Sequence, residues 1–321
     1  MRVLSGIQPS GSLHLGNYFG MMSKMIDYQE HEELFCFIAN YHAQTSVSDG
    51  KVLARGTLEA AANFLALGLD PEKSIFWVQS DVPEVQELAW LLSNFTPMGL
   101  LERCHSYKDK VAQGIKPNHG LFAYPVLMTA DILLFKSDRV PVGKDQKQHL
   151  EVARDIAIKF NNEYGDIFVV PEAEIDDEVA TIPGLDGQKM SKSYGNTIDL
   201  FQDEKALRKQ VMRIVTAPIP VEEPKDPDQC NVYKIYRLFL DKSADQELRK
   251  RYQAGGLGFG EVKQELFETI RDTFAPFAVR RNELLGDLEG LRSILAEGSD
   301  RARGVANRTL GKVRKKTGLA Y

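Results

Sequence analysis

The sequence predicts an α/β protein in which a doubly wound parallel sheet precedes a helical C-terminal domain. Over the first 170 residues, short β-rich runs alternate with helix-length amphipathic stretches, a pattern typical of a parallel sheet covered by helices. Beyond residue 196, long charged amphipathic stretches dominate. The chain has 321 residues, which is enough for about two domains with a substantial core.

Five short runs in the first half are candidate strands, each next to a stretch long enough for a crossover helix. They are residues 3–6, 34–39, 74–79, 139–142 and 168–170. The clearest crossover helix is expected over residues 52–67, where apolar side chains recur at helical spacing. Gly68 supplies a left-handed stop after this helix, and Pro71 prevents the helix from resuming.

The second half is expected to be helical, with amphipathic stretches at residues 204–215, 261–274 and 282–295. A Gly-rich, turn-prone segment at residues 182–196 separates the two compositions. We therefore predict one domain over residues 1–195 and a helical domain over residues 196–321. It stays open whether the C-terminal end packs back on the first domain.

Composition and cysteine usage narrow the class of protein. The hydrophobic share of 43% and charged share of 26% match a globular protein and exclude collagen-like, low-complexity and disordered classes. Cys36, Cys104 and Cys230 are too far apart for a CxxC pair or a disulfide framework, which favours a reducing cytoplasm. Without a signal peptide, a membrane-length apolar run or zinc-like histidine spacing, we expect a cytoplasmic protein with no membrane partner and no protein-held metal.

Positive charge is concentrated at the C-terminal end. Residues 301–316 contain seven Lys and Arg residues and no acidic residue, whereas the whole chain has a net charge of -5. The segment is either a surface that meets phosphate or an ordinary solvated helix face, and composition alone does not choose between them.

Two segments far apart in the chain are candidates for binding a nucleoside triphosphate. The first, residues 9–17, follows the first strand and opens the first helix, so we expect free N–H groups there that face an anion. Gly16 lets a ligand approach the backbone, and His14 and Asn17 add hydrogen-bonding groups. An ordinary strand-to-helix turn is the alternative for this segment by itself.

The second segment is the run KMSKS at residues 189–193, between Gly187 and Gly195. Two lysines and two hydroxyls on a flexible loop can wrap a triphosphate and stabilise the charge that develops as its bond breaks. Taken by itself, a solvated linker explains the same residues.

A third pattern indicates an amino-acid pocket. Tyr124, Met128 and Asp131 are four and three residues apart, so on a helix they share one face. An apolar slot with one buried acceptor suits a large aromatic side chain that carries a single N–H or O–H. A core-facing stripe with an ion-paired Asp131 is the alternative.

Together, the first two segments resemble the HIGH and KMSKS signatures of class I aminoacyl-tRNA synthetases, in the same order. The resemblance implies a Rossmann-type catalytic domain that binds ATP, and a helical C-terminal half that reads tRNA. The catalytic residues that it implies are His14, Asn17, Lys110, Lys189, Lys192 and Ser193. The ATP-binding residues that it implies are Gln8, Pro9, Ser10, Gly16, Asn17, Gly143, Lys144, Asp145, Ile182, Lys189, Met190, Ser191, Lys192 and Ser193.

Within this class, the helix around Asp131 resembles the LMxADILLY helix of bacterial tryptophanyl-tRNA synthetases, whose aspartate accepts a hydrogen bond from the indole N–H. The opening SGIQPSG and the stretch RVPVGKDQKQH at residues 139–149 resemble the same group. The substrate-binding residues that this resemblance implies are Leu4, His42, Tyr124, Met128, Asp131, Val140, Val142 and Gln146.

Three positions depart from the pattern of the group. Asn17 replaces the second histidine of the general signature, His14 stands where this branch often has threonine, and Leu4 stands where relatives often place an aromatic residue. The resemblance implies L-tryptophan, ATP with Mg²⁺ and tRNA(Trp) as partners of a homodimer, with no DNA. The alternatives are a tyrosyl-type enzyme, or a paralogue that activates an amino acid without tRNA or only binds a partner.

Overall fold

In the computed structural model, the described residues are 1–9, 11–104, 112, 114, 116–143, 146–174 and 182–321, and they form a five-stranded sheet in the order β3-β2-β1-β4-β5. All neighbouring strands are parallel. The strands are β1 (Arg2–Ile7), β2 (Glu33–Ile38), β3 (Ile75–Val78), β4 (Arg139–Pro141) and β5 (Glu172–Glu174). This strand order is that of a doubly wound Rossmann-type sheet, which confirms the predicted fold class.

The centre of the sheet is buried on both faces. Strand β1 pairs with β2 along its whole length, from Arg2 opposite Glu33 to Ile7 opposite Ile38. Buried side chains follow one another without alternation in β2, as expected of a parallel strand covered by helices on both sides.

Helices account for most of the described residues outside the sheet. A π-helical part, Tyr18–Met22, joins the first two. In chain order the helices are α1 (Leu15–Asn17), α2 (Ser23–Tyr28), α3 (Asn40–Ala43), α4 (Gly50–Ala66), α5 (Glu84–Ser93), α6 (Met98–Glu102), α7 (His119–Leu134), α8 (Lys147–Tyr164), α9 (Glu204–Met212), α10 (Asn231–Tyr236), α11 (Lys242–Ala254), α12 (Phe259–Gly286) and α13 (Leu288–Thr317).

The fifth strand lies a few residues later than the sequence predicts. Residues 168–170 are not a strand, because the side chain of Asn161 satisfies the local backbone instead of a neighbouring strand. Asn161 Oδ1 accepts from the N–H groups of Ile167 (3.1 Å) and Phe168 (3.0 Å), and Asn161 Nδ2 donates to the Phe168 carbonyl (2.8 Å). The Phe168 side chain is buried in the core, so the apolar run around it resembles a strand in the sequence.

The described chain forms two compact units. Unit one contains Met1–Ser10, Met25–Asp176 and Leu284–Tyr321, and therefore the whole sheet; unit two contains Gly11–Lys24 and Asp177–Glu283. The predicted catalytic and tRNA-binding domains at residues 1–195 and 196–321 stay a prediction, since compactness assigns no function.

The C-terminal helix α13 is part of the core of unit one. Ala302, Ala306, Leu310 and Val313 belong to the same buried cluster as Trp77. Helix α13 also runs so close to β3 that a Cβ atom on Gly298 would lie 1.7 Å from the carbonyl oxygen of Phe76.

Several cations of the basic C-terminal end are engaged in this packing. Arg301 donates to two backbone carbonyls, Arg303 donates to Glu84, and Arg314 forms an ion pair with Glu87. These arginines therefore stabilise the attachment of α13. None of the helices in the described part of the chain is long and apolar enough to cross a bilayer.

Candidate active site

A buried carboxylate lies on helix α7 in unit one. Asp131 is only 3% exposed, and His42 Nε2 lies 2.8 Å from its Oδ2 atom. Gln79 Nε2 donates to both carboxylate oxygens, at 2.9 Å from Oδ1 and 2.8 Å from Oδ2. Helix α7 begins where the Asn118 side chain accepts the N–H of Leu121 at 2.8 Å, which caps the helix that carries the carboxylate.

Tyr124 lies beside this cluster. Its ring meets the His42 ring edge to face with 6.2 Å between centroids, and its hydroxyl lies 2.5 Å from His149 Nε2. His149 is buried, so the contact fixes the direction of the Tyr124 side chain. The structure thus places Tyr124, His42 and Asp131, three of the residues implied to bind substrate, in one cluster.

The other predicted pocket residues belong to the same unit. Leu4 and Val140 lie in its buried core, and Met128 and Val142 pack against that core as partly buried residues. Gln146 directly precedes α8, where its N–H donates to the carbonyl of Gly143 at 2.9 Å. The apolar residues therefore form part of a continuous core rather than an isolated pocket wall.

A cavity of about 390 Å³ opens on this unit and reaches His42 and Tyr124. Asp131 and Met128 do not line the cavity, so it does not coincide with the predicted amino-acid pocket. Its outer wall includes Trp90, which is 72% exposed.

The two signature segments meet within unit two. His14 and Asp199 are opposite each other in an antiparallel bridge, with the N–H of Leu15 donating to the Ile198 carbonyl and that of Leu200 to the Leu13 carbonyl, both at 2.9 Å. In such a bridge the paired side chains lie close together on one face. The KMSKS segment joins them, since a Cβ atom on Gly11 would lie 3.2 Å from Lys192 Nζ.

The expectation of free N–H groups at the start of α1 is wrong. The helix is three residues long, and its backbone donors are already engaged. The N–H groups of Leu15, Gly16 and Asn17 donate to Ile198 O (2.9 Å), Met190 Sδ (3.3 Å) and His14 O (2.9 Å). Positive charge at this place therefore comes from side chains, above all from Lys192.

Asn196 holds the KMSKS loop in position. Its Oδ1 accepts the N–H of Ser191 at 2.8 Å, and its Nδ2 donates to the Lys189 carbonyl at 3.1 Å and to Asp186 at 2.7 Å. A further backbone bond links Met190 N–H to the Ile182 carbonyl at 2.8 Å. The loop is thus more restrained than its glycine content suggests.

Lys192 and Ser193 lie in a 3-10 turn, Lys192–Tyr194, that follows directly on Ser191. The Ser193 N–H donates to Ser191 Oγ at 3.3 Å, and Gly195 ends the turn with a left-handed φ of 63°. The predicted ATP-binding residues from Ile182 to Ser193 therefore lie in one local structure with His14 and Asn17.

Opposite charges flank the buried His14 ring. Burial lowers the pKa of His14, the Lys192 ammonium lowers it further, and the Asp199 carboxylate raises it. Partial burial also lowers the pKa of Lys192, and Asp199 acts against that change. Asp199 accepts from Ser12 Oγ at 3.1 Å through Oδ2, while its buried Oδ1 has no hydrogen-bond partner among the described residues.

Asp199, Asn196, Gln79 and His149 are polar residues of these clusters that the sequence analysis missed. Gln79 follows β3 at the carboxyl edge of the sheet, where ligand sites gather, so a signal for it existed. No sequence signal pointed to Asp199, because its pairing with His14 is visible only in the folded structure.

Some predicted ATP-binding residues are placed elsewhere or not at all. Gln8 is exposed and Pro9 buried just after β1 in unit one, and Gly143 is exposed between β4 and α8. Ser10, Lys110, Lys144 and Asp145 lie outside the described residues. In the portion of the chain that is described, no group of three or more His, Cys, Asp or Glu residues is arranged to hold a metal ion.

Comparison with known proteins identifies the family. The family model of class I tRNA synthetases (W and Y) matches residues 1–275. The chain is 57% identical, over 99% of its length and 100% of the relative, to the tryptophan–tRNA ligase of Campylobacter jejuni strain RM1221. It is 52% identical, with the same shares covered, to the tryptophan–tRNA ligase of Rhodopirellula baltica.

A solved structure agrees with these relatives. The tryptophanyl-tRNA synthetase from Campylobacter jejuni, complexed with ADP and tryptophan, matches with a TM-score of 0.95 and 57% identity over 99% of this chain and 100% of that one. The predicted family is confirmed. The chain belongs to the class I tRNA synthetases, in the group of the tryptophan and tyrosine enzymes.

Proposed function

We propose that the chain is a tryptophan–tRNA ligase, which activates L-tryptophan with ATP and transfers the tryptophanyl group to tRNA(Trp). The observation that carries the proposal is the buried Asp131 carboxylate, held beside Tyr124 and His42 on helix α7. Full-length relatives named tryptophan–tRNA ligases support the same substrates, as does the solved relative with ADP and tryptophan.

Asp131 is the group proposed to select tryptophan. A buried carboxylate needs hydrogen-bond donors, and an indole N–H supplies one while its ring occupies apolar surroundings. A site built around such a bond rejects an analogue that lacks the donor by about 10⁴- to 10⁵-fold, because the buried acceptor is then left unpaired. Phenylalanine is therefore a poor substrate in this proposal.

Lys192 and His14 are proposed to act on the phosphates. An oxygen of the tryptophan carboxylate forms a bond to the α-phosphorus of ATP, and the bond from that phosphorus to the oxygen bridging to the β-phosphate breaks. Magnesium pyrophosphate leaves, with Mg²⁺ entering as part of the nucleotide substrate. Because negative charge accumulates on the departing group, the Lys192 ammonium stabilises the transition state. Ser193, Lys189 and Asn17 are proposed as further contacts.

Exposed cationic side chains are proposed to bind the phosphates of tRNA. At the C-terminal end, Arg308, Lys312, Lys315 and Lys316 are exposed, whereas Arg303 and Arg314 are paired with glutamates of α5. Contacts to phosphates make such binding depend steeply on salt. Of the two alternatives that composition left open, the proposal adopts the phosphate-binding surface for the exposed cations, whereas Arg303 and Arg314 contribute to the packing of α13.

A cytoplasmic homodimer is the proposed form of the enzyme. Trp90 on α5 is 72% exposed and lines the cavity on unit one. Large exposed aromatic side chains are typical of protein interfaces, and a second copy of this chain is the partner proposed here.

Amino-acid-dependent exchange between ATP and labelled pyrophosphate tests the proposal with each of the twenty amino acids. Tryptophan is expected to support exchange, with phenylalanine and tyrosine far behind. Preferential exchange with tyrosine would move the chain to the tyrosyl-type alternative. Aminoacylation of tRNA(Trp) is measured in parallel, and tryptophan-dependent exchange without charging would indicate an activator that acts without tRNA.

A further inference from the structure

We infer that Gln79 is the positioning residue for amino-acid selection: its amide holds Asp131 so that one carboxylate oxygen, Oδ1, retains an acceptor position for the indole N–H. The inference rests on the proposed function and adds to it a residue that the family signatures do not include.

Gln79 is buried and bound to the carboxylate on both sides. It is 1% exposed, at the point where β3 passes into the turn Gln79–Asp81. Its Nε2 atom lies 2.9 Å from Asp131 Oδ1 and 2.8 Å from Oδ2. A hydrogen bond to a charged partner in a buried place is stronger than a neutral one, so this contact restricts rotation of the carboxylate.

The orientation of the amide is determined by the backbone. Gln79 Oε1 accepts the N–H of Tyr41, in α3, at 3.0 Å. A flipped amide would place its NH₂ group against that N–H and its oxygen against the carboxylate. The donor end of Gln79 must therefore face Asp131.

The two carboxylate oxygens of Asp131 have different sets of hydrogen-bond partners. Asp131 Oδ2 accepts from His42 Nε2 at 2.8 Å and from Gln79, whereas among the described residues Oδ1 accepts from Gln79 alone. Each carboxylate oxygen offers about two acceptor positions. Oδ2 is thus fully occupied, and Oδ1 keeps one position.

The remaining acceptor position on Oδ1 accounts for the proposed requirement that the substrate carry an N–H donor. A substrate with an indole N–H completes the set of hydrogen bonds around Asp131. An isostere without a donor leaves a buried acceptor empty, which is costly only while the carboxylate is held in place. Removing the Gln79 amide should therefore lower the kcat/KM for tryptophan much more than the kcat/KM for the isostere.

The test compares tryptophan with 3-benzothienyl-L-alanine, in which sulfur replaces the N–H, by pyrophosphate exchange. The substitution Gln79→Met removes both N–H donors of the amide and keeps a side chain of similar size. The kcat/KM for tryptophan is expected to fall about 10- to 100-fold, mainly through KM, the loss typical of one charged hydrogen bond. The kcat/KM for the isostere is expected to change less than about threefold.

Two further variants sharpen the comparison. Gln79→Glu keeps an acceptor for the Tyr41 N–H but turns an oxygen toward Asp131, so the loss for tryptophan should be at least as large. Gln246→Met makes the same chemical change at an exposed position on α11 and should leave both substrates unaffected.

An equal loss for both substrates would assign Gln79 a merely structural role, and an unchanged tryptophan KM would remove the role altogether. Failure of both Gln79 variants to fold would also overturn the inference. If the unaltered protein shows no exchange with tryptophan, the proposed function itself fails, which is a distinguishable result.

Discussion

At the scale of single residues, His14 illustrates how contacts between distant segments determine charge. Burial and Lys192 both lower its pKa, and Asp199 raises it. With its pKa below the ordinary value of 6.5, the imidazole stays neutral at physiological pH. In the proposed function, His14 therefore acts toward phosphate as a neutral hydrogen-bonding group, and the positive charge beside it belongs to Lys192.

Titration of His14 by NMR gives a prediction with a definite sign. Lys192→Met removes a positive charge that disfavours the imidazolium, so the His14 midpoint should rise. Asp199→Asn removes a negative charge that favours it, so the midpoint should fall. Lys189→Met is the matched control, because Lys189 is not among the charges that act on His14, and it should leave the midpoint in place. A shift of either test variant in the opposite direction contradicts this account.

Spacing along the chain predicted the residues that share one helix face and missed those that meet through the fold. Tyr124 and Asp131 were found because helical geometry alone relates them. Ser12 and Asp199 are 187 residues apart, and no local sequence pattern predicts the hydrogen bond between them. Gln79 was within reach, because the end of a parallel strand is a known place for functional side chains.

At the scale of elements, the long helices were easier to predict than the short strands. Amphipathic periodicity over many residues indicates a helix by itself, as for α4, where Asp49 caps the first turn. Strand β5 has only three residues, and its position depends on pairing with β4 and on the Asn161 side chain. Local sequence contains neither of these long-range determinants.

The contact between α13 and β3 predicts a large difference between two glycine variants on one helix. A methyl group on Gly298 would lie 1.7 Å from the Phe76 carbonyl oxygen, so Gly298→Ala must displace the helix. We expect it to lower the free energy of unfolding by about 1–3 kcal/mol or more, the usual cost of overpacking.

Gly311→Ala is the matched control, since nothing lies within 4 Å of the added atom. It should raise the free energy of unfolding by about 0.5–1 kcal/mol, because alanine favours a helix. Urea denaturation measures both variants, and similar values for the two would show that α13 is not pressed against β3.

At the scale of the whole molecule, each compact unit is assembled from separate stretches of chain. The sheet and Asp131 belong to unit one, whereas His14 and Lys192 belong to unit two. Composition predicted a change near residue 196 but could not reveal that residues 284–321 belong to unit one. Such membership depends on tertiary contacts like those of Ala302 and Leu310.

Quaternary structure supplies the prediction at this scale. Trp90→Glu places a charge at the exposed aromatic residue proposed for the dimer interface and should shift sedimentation from a dimer toward a monomer. Val279→Glu, at an apolar residue on α12 with 61% exposure, is the control and should leave the dimer intact. A monomer before any substitution, or a dimer that tolerates glutamate at position 90, would refute the interface.

Helix α13 also has a consequence for biosynthesis. Because Ala306, Leu310 and Val313 belong to the same core cluster as Leu4 of β1, this part of the core cannot close until helix α13 has left the ribosome. A nascent chain that terminates early exposes this apolar surface to proteases and chaperones instead of burying it. Only chains that include helix α13 therefore acquire the closed core of unit one.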